Sequence, residues 1–283
     1  KMKSLTSIAY KTLTALMIAM LVLTALPITL IKAGGILSPE SEPTPLTIPI
    51  TLPLTADVVI NRTGGVTDTT QVGMDGDAAN SYCYLTQTAA VFYNAANPNG
   101  IPDSGLIAAN AFHPTAQLAV NNADGGINAR KIAPAGPLTF TIDVPDNNYS
   151  YMHIFGATGN GSSSFSLTFN YSDATSTTTA VVNLRDWFDD FAQTVTEYYL
   201  IDGLDRMQCN VTGYQNSNDP AIFGHRFAPN VNKTLQTVTV TVSNLTGGER
   251  ANFFGAVGES APTVTINQGA GQVDPANASP ITF

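Results

Sequence analysis

The sequence has little charge and very few cysteine, tryptophan and histidine residues. Charged residues make up 12% of the 283 positions, and there are two cysteines, one tryptophan and three histidines. A helical cytosolic enzyme needs more Glu, Lys and Arg on its helix faces, so the composition argues against one. Two cysteines cannot form a zinc–thiolate site, and neither an HExxH motif nor a GxSxG elbow is present. We therefore predict a protein that is not an enzyme.

Basic residues are scarce outside the N-terminus. The first 33 residues hold four lysines and no acidic residue, whereas the remainder carries 8 basic and 21 acidic residues, a formal charge of −13. A surface of this sign repels phosphate backbones, so we expect no nucleic-acid partner. The same charge favours solubility and could attract divalent cations.

The longest uncharged apolar run lies near the N-terminus, from Thr14 to Ile31. It follows a short basic segment, and Ala33 offers a small residue at which a leader could be cleaved. This order is typical of a secretory signal, so residues 1–33 are predicted as a signal peptide. An uncleaved anchor is the alternative, and it is the only membrane contact that we expect. Both interpretations place the remainder outside the cytoplasm, in the extracellular space or at the cell surface.

Residues 34–55 contain five prolines, which disfavour a helix. They predict an extended spacer between the N-terminal segment and the main domain.

Cys83 and Cys209 would close a loop of more than 120 residues if they paired. An exported protein with two cysteines usually pairs them, so we predict a disulfide. The chain-entropy model gives such a cross-link about 4–5 kcal/mol of stabilisation. Two separate buried thiols are the alternative.

From residue 56 to about residue 260, short apolar segments alternate with turns rich in Gly, Asn, Asp and Pro. The best example is Thr237–Val242, in which the valines can share a buried face while the threonines meet water. Many short strands with such turns predict an all-β sandwich, and about 200 residues suffice for its core. The candidate strands are Tyr82–Thr86, Leu138–Val144, Tyr151–Ala157, Phe165–Tyr171, Thr178–Leu184, Ile222–Phe227, Thr237–Val242 and Phe253–Val257.

Residues 144–187 carry a family resemblance. They contain a Pro-led turn, a Tyr-led strand that reaches a Gly, a strand that ends in Tyr-x-Asp, and a strand that closes on Asp-Trp. The residues of this pattern are Pro145, Tyr149, Gly156, Tyr171, Asp173, Asp186 and Trp187. The pattern resembles a galactose-binding-like β-jelly-roll module of secreted bacterial proteins, often appended to glycoside hydrolases. Over residues 56–260 the resemblance implies a jelly roll, a shape used for sugar binding, adhesion and spacing alike. At Ser172-Asp173-Ala174 the sequence departs from the Asp-Gly turn that is common in the family.

Residues 261–283 resemble a different family. The stretch PTVTINQGAGQVDPANASPITF is similar to the opening of the Ig-like repeats of large bacterial surface proteins. The resemblance implies a truncated repeat and a longer multidomain protein, because so short a segment cannot bury a sandwich core. A disordered polar tail is the alternative.

Two kinds of ligand site can be proposed from the residues. Asp75, Asp77 and Asn80 place oxygen ligands at a spacing that a structural Ca²⁺ accepts, and the alternative is an Asp-Gly turn with solvated acids. We expect no other cofactor. Sugar binding needs an exposed aromatic face close to amides and acids. The aromatic candidates are Tyr149, Trp187, Tyr198, Tyr199 and Tyr214.

Three functions fit these observations. The first is a non-catalytic adhesive or structural module of a longer chain, with other surface proteins as partners. The second is a carbohydrate-binding module that targets a polysaccharide. The third is a subunit of an extracellular filament that retains its apolar N-terminus.

Overall fold

The computed structural model describes residues 45–64, 71–76, 81–120, 125–209, 214–215 and 220–262. The predicted signal peptide and the predicted Ig-like start lie outside these residues. Apart from the single helix α1 (Gln87–Tyr93), the regular secondary structure of the described chain is β. The strands are β1 (Thr47–Ile50), β2 (Val59–Ile60), β3 (Tyr82–Leu85), β4 (Leu106–Ile107), β5 (Ala116–Gln117), β6 (Arg130–Ile132), β7 (Thr139–Asn147), β8 (Tyr149–Gly159), β9 (Ser163–Tyr171), β10 (Ser176–Thr178), β11 (Val182–Leu184), β12 (Glu197–Ile201), β13 (Arg206–Gln208), β14 (Tyr214–Gln215), β15 (Ile222–Phe227), β16 (Leu235–Ser243) and β17 (Arg250–Ser260).

Two antiparallel sheets face each other across the main core. The larger sheet has the order β1-β17-β8-β15-β12, with β6 also paired to β17. The smaller sheet has the order β10-β9-β16-β7, with β11 also paired to β9. The alternating valines of β16 and the Phe and Leu residues of β9 point into the space between the sheets, where they meet apolar residues of β8 and β17. The all-β sandwich is therefore confirmed.

The predicted strand Thr178–Leu184 is divided into β10 and β11, although both pair with β9. Thr178 lies opposite Thr168 and Val182 lies opposite Phe165, so four residue steps on one side match three on the other. The extra residue cannot join a regular ladder, and it interrupts the strand as a β-bulge does.

A third layer covers the outer face of the larger sheet. Along β8 the side chains alternate, because Met152 and Ile154 join the sandwich core whereas Phe155 and Ala157 join a second apolar cluster. The covering layer comes mainly from residues 56–130 and includes the four-stranded sheet β14-β13-β3-β2 and the pair β4-β5. Because both faces are covered, β8 and β17 are buried along most of their length, whereas a strand with one solvent-exposed face buries only every second residue.

The disulfide between Cys83 and Cys209 is confirmed. It links β3 to the residue that follows β13, and the two Cα atoms are 5.3 Å apart. It lies in a third small apolar cluster, which also contains Ala89 and Ala90 of α1. The helix begins after Thr86, whose hydroxyl accepts the backbone N–H of Ala89 and so caps the N-terminus. A cross-link of this kind persists in oxidising environments.

The end of the Pro-rich segment lies against the sandwich. Thr47–Ile50 form β1 and pair antiparallel with β17. Prolines are tolerated on such an edge strand because one side of it needs no ladder hydrogen bonds. The extended conformation follows from the prolines, and its docking depends on an edge formed by residues some 200 positions away. No helix in the described ranges has both the length and the apolar character needed to cross a bilayer.

Candidate functional site

The outer face of the larger sheet changes from apolar to ionisable at one end. On β8 the outward-facing residues are Tyr151, His153, Phe155 and Ala157. The last two are apolar, whereas the first two carry ionisable groups. The same change occurs on β15, where Arg226 follows Gly224 by two positions, and on β17, where Glu259 follows Val257. Because strand residues two apart share a face, these side chains collect at the same end of the sheet.

The strand register places the ionisable residues in two neighbouring rows. Arg226 lies opposite His153, and His153 lies opposite Val257. In the next row Tyr151 lies opposite Glu259, which lies opposite Thr47 of β1. Directly opposite residues of antiparallel strands share a face, so the rows bring the side chains of Arg226, His153 and Glu259 close together.

A line of hydrogen bonds crosses this end of the sheet. The Nδ1 atom of His153 is 2.6 Å from the hydroxyl of Tyr198, and its Nε2 atom is 2.7 Å from Oε1 of Glu259. Burial lowers the pKa of His153, partly offset by Glu259. Burial also raises the pKa of Tyr198 well above its ordinary value. A neutral imidazole therefore donates from Nε2 to the carboxylate and accepts at Nδ1 from the phenol, which holds Glu259 in place.

The loop formed by residues 109–115 borders this end and is tied down by its own contacts. The His113 Nδ1 atom is 2.8 Å from the carbonyl oxygen of Pro114, and its Nε2 is 2.9 Å from the Asn110 side-chain amide. The rings of Phe112 and His113 stack on Tyr198, at centroid distances of 6.5 and 5.4 Å. The loop is thus fixed against the same tyrosine that binds His153.

Two open pockets lie beside this loop. The larger has a volume of about 430 Å³ and the smaller about 340 Å³. The larger is lined by Pro45, Thr47, Ala109, Asn110, Ala111, Phe112, His113, Pro114, Thr115, Arg226 and Glu259. The smaller is lined by Asn110, Ala111, Phe112, Gln193, Tyr199, Leu200, Ile201 and Asp202. Both volumes lie in the range of small-molecule sites.

Two of the predicted aromatic ligand residues belong to the core. Trp187 is 1% exposed and contacts Tyr84 edge-on at a centroid distance of 5.1 Å. Tyr198 is fully buried and packs over Gly224. A ring must present a face to solvent to stack on a sugar, and neither of these two rings presents one in this structure. Tyr149 is also fully buried.

The two remaining tyrosines have different positions. Tyr199 is half-buried and lines the smaller pocket together with Gln193 and Asp202, the combination of ring, amide and acid expected of a sugar site. Its ring is held by Phe191 and Phe223, at centroid distances of 4.8 and 5.5 Å. For Tyr214 the structure describes only the backbone, in β14.

The predicted calcium site is only partly within the described residues, since Asp77 and Asn80 lie outside them. Asp75 accepts a hydrogen bond from the Trp187 indole, and burial raises the pKa of its carboxyl group. In the described ranges no three His, Cys, Asp or Glu side chains group as a metal site would require. The calcium site therefore stays a prediction.

The carboxylates of Asp186 and Asp189, on either side of Trp187-Phe188, accept hydrogen bonds from the turn between β8 and β9. One carboxylate oxygen of Asp186 accepts the Gly161 backbone N–H at 2.6 Å, and the other accepts that of Phe188 at 3.0 Å. Asp189 accepts the hydroxyl of Ser162 at 2.8 Å. These carboxylates join the β8–β9 turn to the segment after β11.

Sequence reasoning missed Arg226, Glu259 and the loop at residues 109–115. A signal was present, because ionisable residues occupy strand positions in phase with buried ones on β8, β15 and β17. The strand register that aligns these positions cannot be read from one sequence.

No protein-family model matches the chain, and a search of curated proteins found no match.

Proposed function

We propose that this chain is a non-catalytic extracellular β-sandwich module with an adhesive or structural role in a longer surface or secreted protein. The observation that carries the proposal is the place where the chain enters and leaves the sandwich. The backbone N–H of Ser260 donates to the Leu46 carbonyl at 2.9 Å, and the Leu46 N–H donates to the Ser260 hydroxyl at 3.1 Å. The two ends of the domain are therefore adjacent, and the sequence continues on both sides of them.

A domain whose two chain ends are adjacent is better suited to project from a longer chain than to act as a spacer within it. A spacer lengthens a chain when its ends lie far apart, whereas this arrangement adds almost no length between residues 45 and 262 and projects the domain to the side. The disulfide supports a location outside the cytoplasm, where such cross-links persist. The jelly-roll relationship and the Ig-like repeat remain part of this proposal.

The non-catalytic role is supported by how the ionisable groups of the site are used. Tyr198 is fully buried, and the His153 residue is only 1% exposed. Neither is available to attack a ligand or to exchange a proton with one, which general acid–base catalysis requires.

Expression of the full chain in an exporting bacterial host tests the proposal. We expect the product outside the cytoplasm, with Cys83 linked to Cys209, retention on cell envelopes, and no turnover of chromogenic glycosides. Retention in the cytoplasm with both thiols free, or measurable glycoside turnover, would contradict it. N-terminal sequencing of the same product tests the filament alternative, which requires the apolar segment to be retained.

Carbohydrate binding is the second candidate function, and the smaller pocket favours it. Tyr199 presents a half-buried ring there beside Phe112, with the side chains of Gln193 and Asp202 at the rim. Aromatic faces bind the C–H groups of a sugar while amides and acids bind its hydroxyls.

A neutral-glycan array with wild type and Tyr199→Ala tests this candidate. We expect wild type to bind at least one neutral glycan and the variant to lose most of that signal. Phe92→Ala is the matched control, because Phe92 is 54% exposed on α1, away from the pocket. The carbohydrate function is wrong if no glycan is retained, or if both variants lose binding equally.

A further inference from the structure

Arg226 presents its guanidinium group to the larger pocket. Its carbon Cζ lies 4.3 Å from the centroid of the Tyr151 ring, so the group lies over an aromatic face. Among the described residues the guanidinium makes neither a hydrogen bond nor an ion pair, and it lines the pocket wall. A planar cation with its donors unused is a group that binds carboxylates through two parallel hydrogen bonds.

Glu259 is the second polar group in the pocket. Its Oε1 atom binds His153, and its side chain is 18% exposed. Among the described residues the other oxygen, Oε2, accepts no hydrogen bond and can accept one from a ligand hydroxyl. Phe112 supplies an apolar surface on the loop side of the same pocket.

We propose that this pocket binds a sugar acid, with the ligand carboxylate on Arg226 and ligand hydroxyls on Glu259. A simple anion fits poorly, because Glu259 repels it unless the ligand also offers hydrogen-bond donors. A phosphate dianion fits worse, because the chain is acidic and a second negative charge is repelled more strongly. A hydroxylated monocarboxylate with a C–H face for Phe112 satisfies all three contacts.

The inference shares its ligand class and the loop residue Phe112 with the carbohydrate-binding candidate, but the residues that recognise the ligand differ. That candidate concerns neutral sugar at Tyr199 in the smaller pocket, and this one concerns acidic sugar at Arg226 in the larger. Tyr199→Ala and Arg226→Gln therefore separate the two, since each changes one pocket.

Ligand-observed NMR on the full chain tests the inference with three probes at physiological salt. Glucuronate is the sugar acid, glucose lacks its carboxylate, and acetate lacks its hydroxyls. We expect glucuronate to bind at least tenfold more tightly than either of the others. Arg226→Gln should weaken glucuronate at least tenfold, and Arg226→Lys should restore part of the affinity, because it keeps the charge without the planar fork.

Arg130→Gln is the matched control. Arg130 also stacks on an aromatic ring, that of Phe140, but it lies on β6 beside the opposite end of β17. We expect this variant to bind glucuronate as wild type does, and near-ultraviolet circular dichroism to show each variant folded.

Three results would overturn the sugar-acid site. Equal affinity for glucuronate and glucose would show that Arg226 does not bind the ligand carboxylate. Equal affinity for glucuronate and acetate would show a plain anion site without hydroxyl recognition. Unchanged glucuronate affinity in a folded Arg226→Gln variant would place any binding elsewhere.

Discussion

His225 is a buried histidine with an incompletely satisfied ring. It faces the sandwich core, edge-on to Phe165 at a centroid distance of 5.1 Å. Its Nε2 atom is buried and has no hydrogen-bond partner among the residues that the structure describes. Burial, reinforced by the Arg185 cation, lowers the pKa of this imidazole to about 3. The folded protein therefore keeps His225 neutral at pH values where the unfolded chain protonates it.

This shift predicts a loss of stability in acid. The contribution of neutral His225 is complete above pH 6.5, the ordinary value, and declines as pH falls towards about 3. The loss at the acid end amounts to about 5 kcal/mol by the linkage relation. His225→Met carries no proton and removes the unpaired nitrogen, so we expect it to be about 1 kcal/mol more stable at pH 7.

Urea unfolding of both proteins between pH 3 and 8 measures the effect. The free-energy gap between His225→Met and wild type should widen as pH falls below 6.5. Carboxylates titrate equally in both proteins, so parallel curves would mean that His225 is solvated or paired in the folded state.

Gly224 makes room for Tyr198 and thereby positions the line of hydrogen bonds to Glu259. A Cβ at Gly224 would lie 2.1 Å from the Tyr198 ring. Gly224→Ala should therefore destabilise the fold by about 1–3 kcal/mol, because the ring must move. Gly136→Ala is the control, since its Cβ would meet its nearest atom at 3.6 Å. Urea denaturation that finds the two variants equally stable would contradict the packing described for Tyr198.

Single residues of the site were predictable only in part. An aromatic residue at a strand end fits a core or a binding face equally well in sequence, and Trp187 and Tyr198 belong to the core. Tyr199 reaches a pocket because β12 is the last strand of its sheet. Arg226 and Glu259 lie at the same end of the sheet because β8 pairs with β15 on one side and with β17 on the other. This pairing is set by tertiary structure.

At the scale of elements, the sandwich strands were predictable because each buries alternate residues on one clear face. Thr237–Val242 is the example, and it lies within β16. The covering layer was not predictable, because its strands are two to four residues long and carry no measurable period. Adjacent apolar residues, such as Ile154-Phe155 in β8 and Phe253-Phe254 in β17, were the available sign that both faces of these strands are covered.

The disulfide joins two elements of this covering layer. The double variant Cys83→Ser, Cys209→Ser opens a loop with a sequence separation of 126 residues. We expect it to lose about 4–5 kcal/mol, the value of the chain-entropy model for a loop of this length. Thermal unfolding in the presence and absence of reductant measures the loss. Wild type with reductant should match the variant, and an unchanged midpoint would mean that the loop is already ordered in the unfolded state.

For the whole molecule, the cross-link sets how far the chain can extend under load. When the oxidised protein is stretched from positions outside the domain, the disulfide should prevent the 126-residue loop between the cysteines from extending. Reduction should add roughly 400–450 Å of contour length, at about 3.3–3.6 Å per residue. Single-molecule stretching of both forms tests this difference, and equal lengths would contradict it.

The pairing of β1 with β17 also decides the direction in which tension acts. The chain enters β1 and leaves β17 at the same end of this antiparallel pair. A force that pulls the two flanking segments apart therefore breaks the hydrogen bonds between the strands one after another. Hydrogen bonds that are loaded one at a time break at a much lower force than hydrogen bonds that are sheared together. We therefore expect β1 to detach at low force while the remaining strands of the sandwich stay folded, so the chain can lengthen before the fold is lost.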